Sequence, residues 1–189
     1  NSGRRQRQMC IRDSQKGLVY RSKKPVYWSI PCRTALAEAE IEYHDHTSPS
    51  VFVRFRIRDC EQESYIVIWT TTPWTLPANL GIAVHPREKY VELKYQGVSY
   101  WVGARLAASF ISSCSMKGAV SGCEIRGEEM KGWITDHPFI ERGSPLLMAE
   151  YVTMETGTGC VHIAPGHGLD DYLTGIANGL EVYCPLDDS

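Results

Sequence analysis

Residues 64–79 read SYIVIWTTTPWTLPAN, and the change of character at Thr70 decides the fold. The first six residues are β-branched or aromatic almost throughout, which is the composition of an interior strand. The next ten set four hydroxyls (Thr70, Thr71, Thr72, Thr75), the indole of Trp74 and the amide of Asn79 around Pro73 and Pro77. Proline-fixed turns carrying that many polar groups make a preformed loop rather than a solvated surface. A buried strand that delivers a rigid polar loop implies a sheet scaffold with a loop-built pocket.

Working outward, 51–58 (VFVRFRIR) alternates apolar and charged residues, the pattern of a half-buried strand. Strand-like runs continue at 80–84, 90–95 and 98–102, the last two joined at Gln96-Gly97, with shorter β segments around 119–125 and 146–152. Residues 104–112 (ARLAASFIS) place Leu106, Phe110 and Ile111 at helical spacing. A second helix is expected over 170–177, its start marked by Gly168 and two acids. Thr34–Ile41 holds strong helix formers, but so short a run is marginal as a helix. Many short strands with two or three helices place the chain in a β-rich α+β class with a closed or strongly curled sheet.

A second segment carries the remaining chemistry. Residues 156–172 read TGTGCVHIAPGHGLDDY. Glycines, His162, His167, Asp170 and Asp171 are packed into one turn-rich stretch, where glycine allows tight turns and close backbone approach. No Ser-His-Asp order, HExxH helix or phosphate-binding Walker loop accompanies them.

Composition bounds the class of protein. A chain of 189 residues, 43% hydrophobic and 22% charged, is an ordinary globular domain. The formal net charge of -2 supplies no global field for nucleic acid, so any RNA contact must be local, by patches or by capture of a single-stranded end. The seven cysteines include no CxxC pair and read as free thiols of a reducing compartment. Cys114, Cys123 and a distant histidine lack the ligand spacing of a zinc site. No long apolar run is present.

The two polar segments resemble the threonine-rich peptide and the GTGxVHxAPGHGxDDY signature of the isoleucyl-tRNA synthetase editing domain. Residues 24–43 (KPVYWSIPCRTALAEAEIEY) resemble the stretch where that insertion leaves the aminoacylation domain. Sister valyl and leucyl enzymes carry TTRP-type versions of the first motif, where this chain has Thr72-Pro73-Trp74. A valyl- or leucyl-type editing domain, or a catalytically inactive tRNA-binding module, are the alternatives.

The resemblance implies a β-barrel-like editing domain with peripheral helices. Residues 1–14 match nothing in the family and are expected to be a disordered or foreign tail. Residues 15–45 form the junction from the catalytic body, and 46–189 the editing domain, expected to continue past the closing VYCPLDDS. Around Thr34 the family implies a turn leading into a strand. The implied reaction is hydrolysis of the ester joining valine to the 3' end of tRNA(Ile). The partners are that tRNA end and the catalytic body of the parent synthetase in cis. No membrane is involved, and the implied location is the cytoplasm or an organellar matrix. Editing is expected to need no cofactor or metal, whereas the parent enzyme's ligase reaction uses ATP and magnesium. The HIGH-type and KMSKS-type adenylation motifs are absent from these residues.

On the same footing, Thr71, His162 and Asp171 are the candidate catalytic residues. Asp171 would hold the substrate's α-ammonium, kept ionised by its place in the first turn of a helix. His162 would wall the amino-acid pocket or hold the water, and Thr71 would bond the water, ester or ribose. Thr70, Thr72, Trp74, Thr75, Asn79, Gly166 and His167 complete the substrate-binding set.

Overall fold

The alternation over 51–57 becomes the strand from which the sheet is built. Phe55 and Ile57 turn inward and are buried, while Arg54 and Arg56 turn out to solvent. The computed structural model describes residues 2–185; Leu186, Asp187 and Asp188, within the stretch expected to continue the editing domain, lie outside the described residues. The elements are α1 (Ser2–Gln15), β1 (Trp28–Ser29), β2 (Thr34–Ala35), β3 (Val51–Ile57), β4 (Ser64–Thr70), β5 (Gly81–Val84), β6 (Lys89–Tyr95) and β7 (Val98–Gly103). Then follow α2 (Ala107–Ser113), β8 (Val120–Arg126), β9 (Ile134–Asp136), β10 (Gly143–Met148), β11 (Cys160–Ile163) and α3 (Leu169–Ala177).

Nine strands make one mixed sheet in the order β11-β5-β10-β9-β3-β4-β7-β6-β8, parallel at β5–β10 and β4–β7 and antiparallel elsewhere. β4 is interior, as its composition requires, paired with β3 on one side and β7 on the other. The Gln96-Gly97 turn between β6 and β7 has both residues at positive φ (52° and 82°), the geometry of a tight hairpin matched to the twist of its strands.

The β-rich α+β class is borne out, and the sheet curls in the barrel-like sense until β11 comes within 8 Å of β4 between Cα atoms. Closure is not completed. Among the described residues no ladder joins β11 to β4, and the sheet keeps two edges. The inside of the curl is filled by Phe55, Ile66, Ile68, Ile82, Tyr90 and Met130, all fully buried. α2 covers part of the opposite face, packing Phe110 over Val67, Val91, Leu93 and Val102. A third cluster around Leu147 and Ile163 seats the β5–β10–β11 end.

Ser2–Gln15 is helical. None of its described side chains is buried, so local propensity alone shapes it. Thr34–Ile41, marginal as a helix, is not one: a turn leads into β2, which pairs with β1, and a single 3₁₀ turn follows at Glu38–Glu40. The β segment expected around 146–152 begins earlier, at Gly143, and β9 was not anticipated, being only three residues long. No helix among the described residues is long and apolar enough to cross a membrane.

Candidate functional site

At the end of β4 the backbone turns at Thr70 into a 3₁₀ helix, Pro73–Ala78, with Pro73 in its first turn where no N–H is needed. Thr70 Oγ1 accepts the Thr72 N–H at 3.1 Å. The carbonyl of Thr72 then accepts both the N–H (3.0 Å) and the hydroxyl (2.8 Å) of Thr75. From the far side Arg142 donates to the carbonyls of Pro77 (3.2 Å) and Asn79 (2.8 Å). His137 Nε2 lies 2.9 Å from the Leu76 carbonyl. The loop is therefore fixed by its own hydroxyls and by two long-range braces.

β11 brings His162 opposite Ile82 of β5. The ring is buried, with Nε2 2.8 Å from Thr75 Oγ1 and Nδ1 3.4 Å from Asn79 Nδ2. The network admits one assignment of protons. The Asn79 amide nitrogen can only donate, so Nδ1 accepts and the proton sits on Nε2. Nε2–H then donates to Thr75, whose own hydroxyl donates to Thr72 O. At the other end Ser144 donates to Asn79 Oδ1 (2.6 Å), and Asn79 Nδ2 also donates to Gly81 O (2.8 Å). Burial, with His137 and His167 adding to it, pushes the His162 pKa down to about 4. The ring is neutral near pH 7 and both its nitrogens are engaged by protein. Neither ring nitrogen is left free to act as a base.

After β11 the segment Ala164–Gly168 turns back, His167 N–H bonding Ala164 O at 2.8 Å, and α3 begins beyond Gly168. Asp171, in the first turn, accepts the Ala164 N–H at 2.9 Å through Oδ2. The expectation that the helix dipole keeps this carboxylate ionised meets an opposing effect. Burial raises its pKa to about 6, helped by Asp170 and resisted by the Ala164 N–H. Asp170 is exposed.

The two motif segments meet in space, through Thr75–His162 and through Trp74, whose ring stands perpendicular to that of His167 with centroids 5.6 Å apart. Trp74 is 59% exposed and stands at the rim. His167 Nε2 is buried without a hydrogen-bond partner among the described residues, and burial lowers its pKa. Thr71 is exposed. It lines a cavity of about 250 Å³ with Trp69, Thr70, Thr156, Gly157 and Thr158. Neither His162 nor Asp171 borders that cavity. Gly166 has its Cα face against the carbonyl of Tyr183, a packing reason for glycine there. Arg142, Ser144 and His137 were missed by sequence reasoning, because nothing local marks them as braces of a loop some 60 residues earlier.

A family model of the class I tRNA synthetases (I, L, M and V) matches residues 5–162, and the chain belongs to that family. Within it the likeness is to isoleucine–tRNA ligases. The chain is 48% identical over 181 residues to that of Nitratidesulfovibrio vulgaris strain Miyazaki F, covering 91% of this chain and 19% of the relative. It is 50% identical over 175 residues to that of Fervidobacterium nodosum, covering 92% and 19%. The chain thus spans about a fifth of the length of the curated relatives it matches. Among solved structures, the P. knowlesi cytosolic leucyl-tRNA synthetase editing domain superposes with a TM-score of 0.58 at 13% identity, covering 70% of this chain and 64% of that one. The fold is that of a synthetase editing domain.

Proposed function

We propose that this chain is the editing part of an isoleucine–tRNA ligase, hydrolysing the ester that joins valine to the 3' end of tRNA(Ile). The observation that carries the reading is the meeting of the threonine loop with the His162–Asp171 segment, with a partly buried carboxylate at one end and an exposed threonine at the other. In this reading residues 15–45 are the junction from the catalytic body and 46–189 the editing part. The tRNA end and that body are its partners.

An aminoacyl ester is already activated, so the site has to orient water, hold the α-ammonium and steady the developing oxyanion. Asp171 takes the ammonium. Thr71 and Thr72, with Thr70 beneath them, offer hydroxyls to the water, ester or ribose. His162, held by Thr75 and Asn79, forms the wall that limits side-chain size, while Trp74 and His167 stand at the rim, beside Gly166. Water attacks the ester carbonyl, the bond to the ribose oxygen breaks, and free valine and uncharged tRNA leave. The need for a second, smaller site follows from the value of one methylene in a pocket, about 1–3 kcal/mol, a figure for which isoleucine against valine is itself the standard illustration.

The decisive experiment is deacylation of Val-tRNA(Ile) by a parent enzyme carrying this sequence, with Ile-tRNA(Ile) as the control. Rapid loss of valine with retention of isoleucine is expected. Equal stability of both esters would overturn the reading, and preferential clearance of a mischarged leucine tRNA would move it to the leucyl type.

Editing in this reading uses no cofactor, while ATP and magnesium serve the ligase reaction of the parent enzyme. Hydrolysis of purified Val-tRNA(Ile) is therefore expected to proceed at an unchanged rate after exhaustive dialysis against EDTA. A loss of rate restored by zinc would replace this mechanism with a metal-bound water.

A further inference from the structure

On the face of β3 opposite the buried Phe55 and Ile57, Arg54 and Arg56 stand two residues apart and both are exposed. Arg58 continues the row but is tied to Asp136 at 2.6 Å. Among the described residues, neither Arg54 nor Arg56 has a carboxylate within salt-bridge distance. The Arg54 guanidinium instead lies 4.7 Å from the centre of the Tyr65 ring. Tyr65 is the cross-strand neighbour of Arg56 and stacks on Tyr100 of β7, centroids 6.0 Å apart and planes 20° from parallel. Both tyrosines are half-buried, so each shows part of its ring to solvent. Glu63 lies beside the stack, and its carboxylate accepts the Tyr65 hydroxyl.

In a chain of net charge -2, two arginines left without acidic partners beside a tyrosine stack are a local cationic site on a near-neutral background. Guanidinium groups with free donors suit phosphate oxygens, and half-exposed aromatic rings beside them suit sugars and bases. We propose that this face of β3, β4 and β7 contacts the sugar–phosphate backbone of an RNA. On the functional reading above, on which the choice of RNA rests, that RNA is the body of the tRNA whose 3' end enters the site. With so weak an overall charge, the hold on tRNA is a local patch.

The test uses the parent enzyme carrying this sequence and uncharged tRNA(Ile) transcript as the probe. Binding is measured between low and physiological salt for the parental protein, for Arg54→Glu/Arg56→Glu and for the milder Arg54→Gln/Arg56→Gln. The proposed surface predicts tRNA affinity about tenfold weaker in the reversed variant and a slope of log affinity against log salt reduced by about 1 for each arginine on a phosphate. In the deacylation assay the effect should fall on KM for Val-tRNA(Ile) and spare kcat. Parental affinity and slope in both variants would overturn the proposal, as would a change confined to thermal stability, which would assign the patch to another part of the protein. Binding is read without turnover, so failure of the deacylation reading and failure of this surface remain distinguishable.

Discussion

Asp171→Asn, in a parent enzyme carrying this sequence, is expected to lower kcat/KM for Val-tRNA(Ile) hydrolysis about a hundredfold or more while adenylation continues. Removing one partner of a charge-assisted hydrogen bond in a desolvated site costs about 2–5 kcal/mol. Asparagine separates the two roles of the side chain. Its amide oxygen still accepts the Ala164 N–H, so the start of α3 is kept, and only the charge that would face an ammonium is lost. Hydrolysis at the parental rate would remove Asp171 from the mechanism.

The same carboxylate sets a pH dependence. With its pKa raised to about 6, Asp171 is protonated in the empty site at lower pH and cannot attract an ammonium. kcat/KM should fall on the acid side through about pH 6, and this limb should vanish in Asp171→Asn. On the alkaline side an α-amino group loses its charge near about pH 7.7–8.0. Stability moves in the opposite sense. A carboxyl whose folded pKa exceeds its unfolded value near 3.8 stabilises the fold below that value, and the benefit is lost as pH rises to about 6. Acid titration of unfolding midpoints in the parental and Asn proteins checks the sign.

The alternation at 51–57 and the β-branched run at 64–69 were legible because each depends on one residue's preference for one face. The threonine loop was legible because proline fixes its turns without help from elsewhere. The order of strands was not: β9 is three residues long, and its place between β3 and β10 is settled by pairings with residues about 80 positions away and with its own neighbour. Site chemistry divided along the same line. His162 and Asp171 are near one another in the sequence, yet the pKa of Asp171 is raised to about 6 by burial, a property of the whole packed end that no local pattern shows. The proton on His162 is likewise decided by Asn79, and Asn79 is fixed by Ser144, 65 residues further on.

That network makes His162→Ala the other large expected effect. The ring is 7% exposed and fills the wall between Thr75 and Asn79. Truncation leaves Thr75 donating to Thr72 O and Asn79 donating to Gly81 O, but the second amide N–H of the fully buried Asn79 loses its acceptor. The cost in stability, lost packing plus that unpaired donor, should be about 3–5 kcal/mol, read as a lowered urea midpoint with an unchanged slope. The vacated space is larger than the one methylene by which isoleucine exceeds valine. Correctly charged Ile-tRNA(Ile), untouched by the parental enzyme, should then be hydrolysed at least about tenfold faster, because the wall no longer excludes it. The acid side of the stability curve should change too. A histidine held neutral down to about pH 4 costs stability as pH falls below its unfolded value near 6.5, and the alanine variant loses that sensitivity. If Ile-tRNA(Ile) stays intact and valine is cleared normally while the urea midpoint falls, His162 holds the loop together and the sieve is formed by other residues.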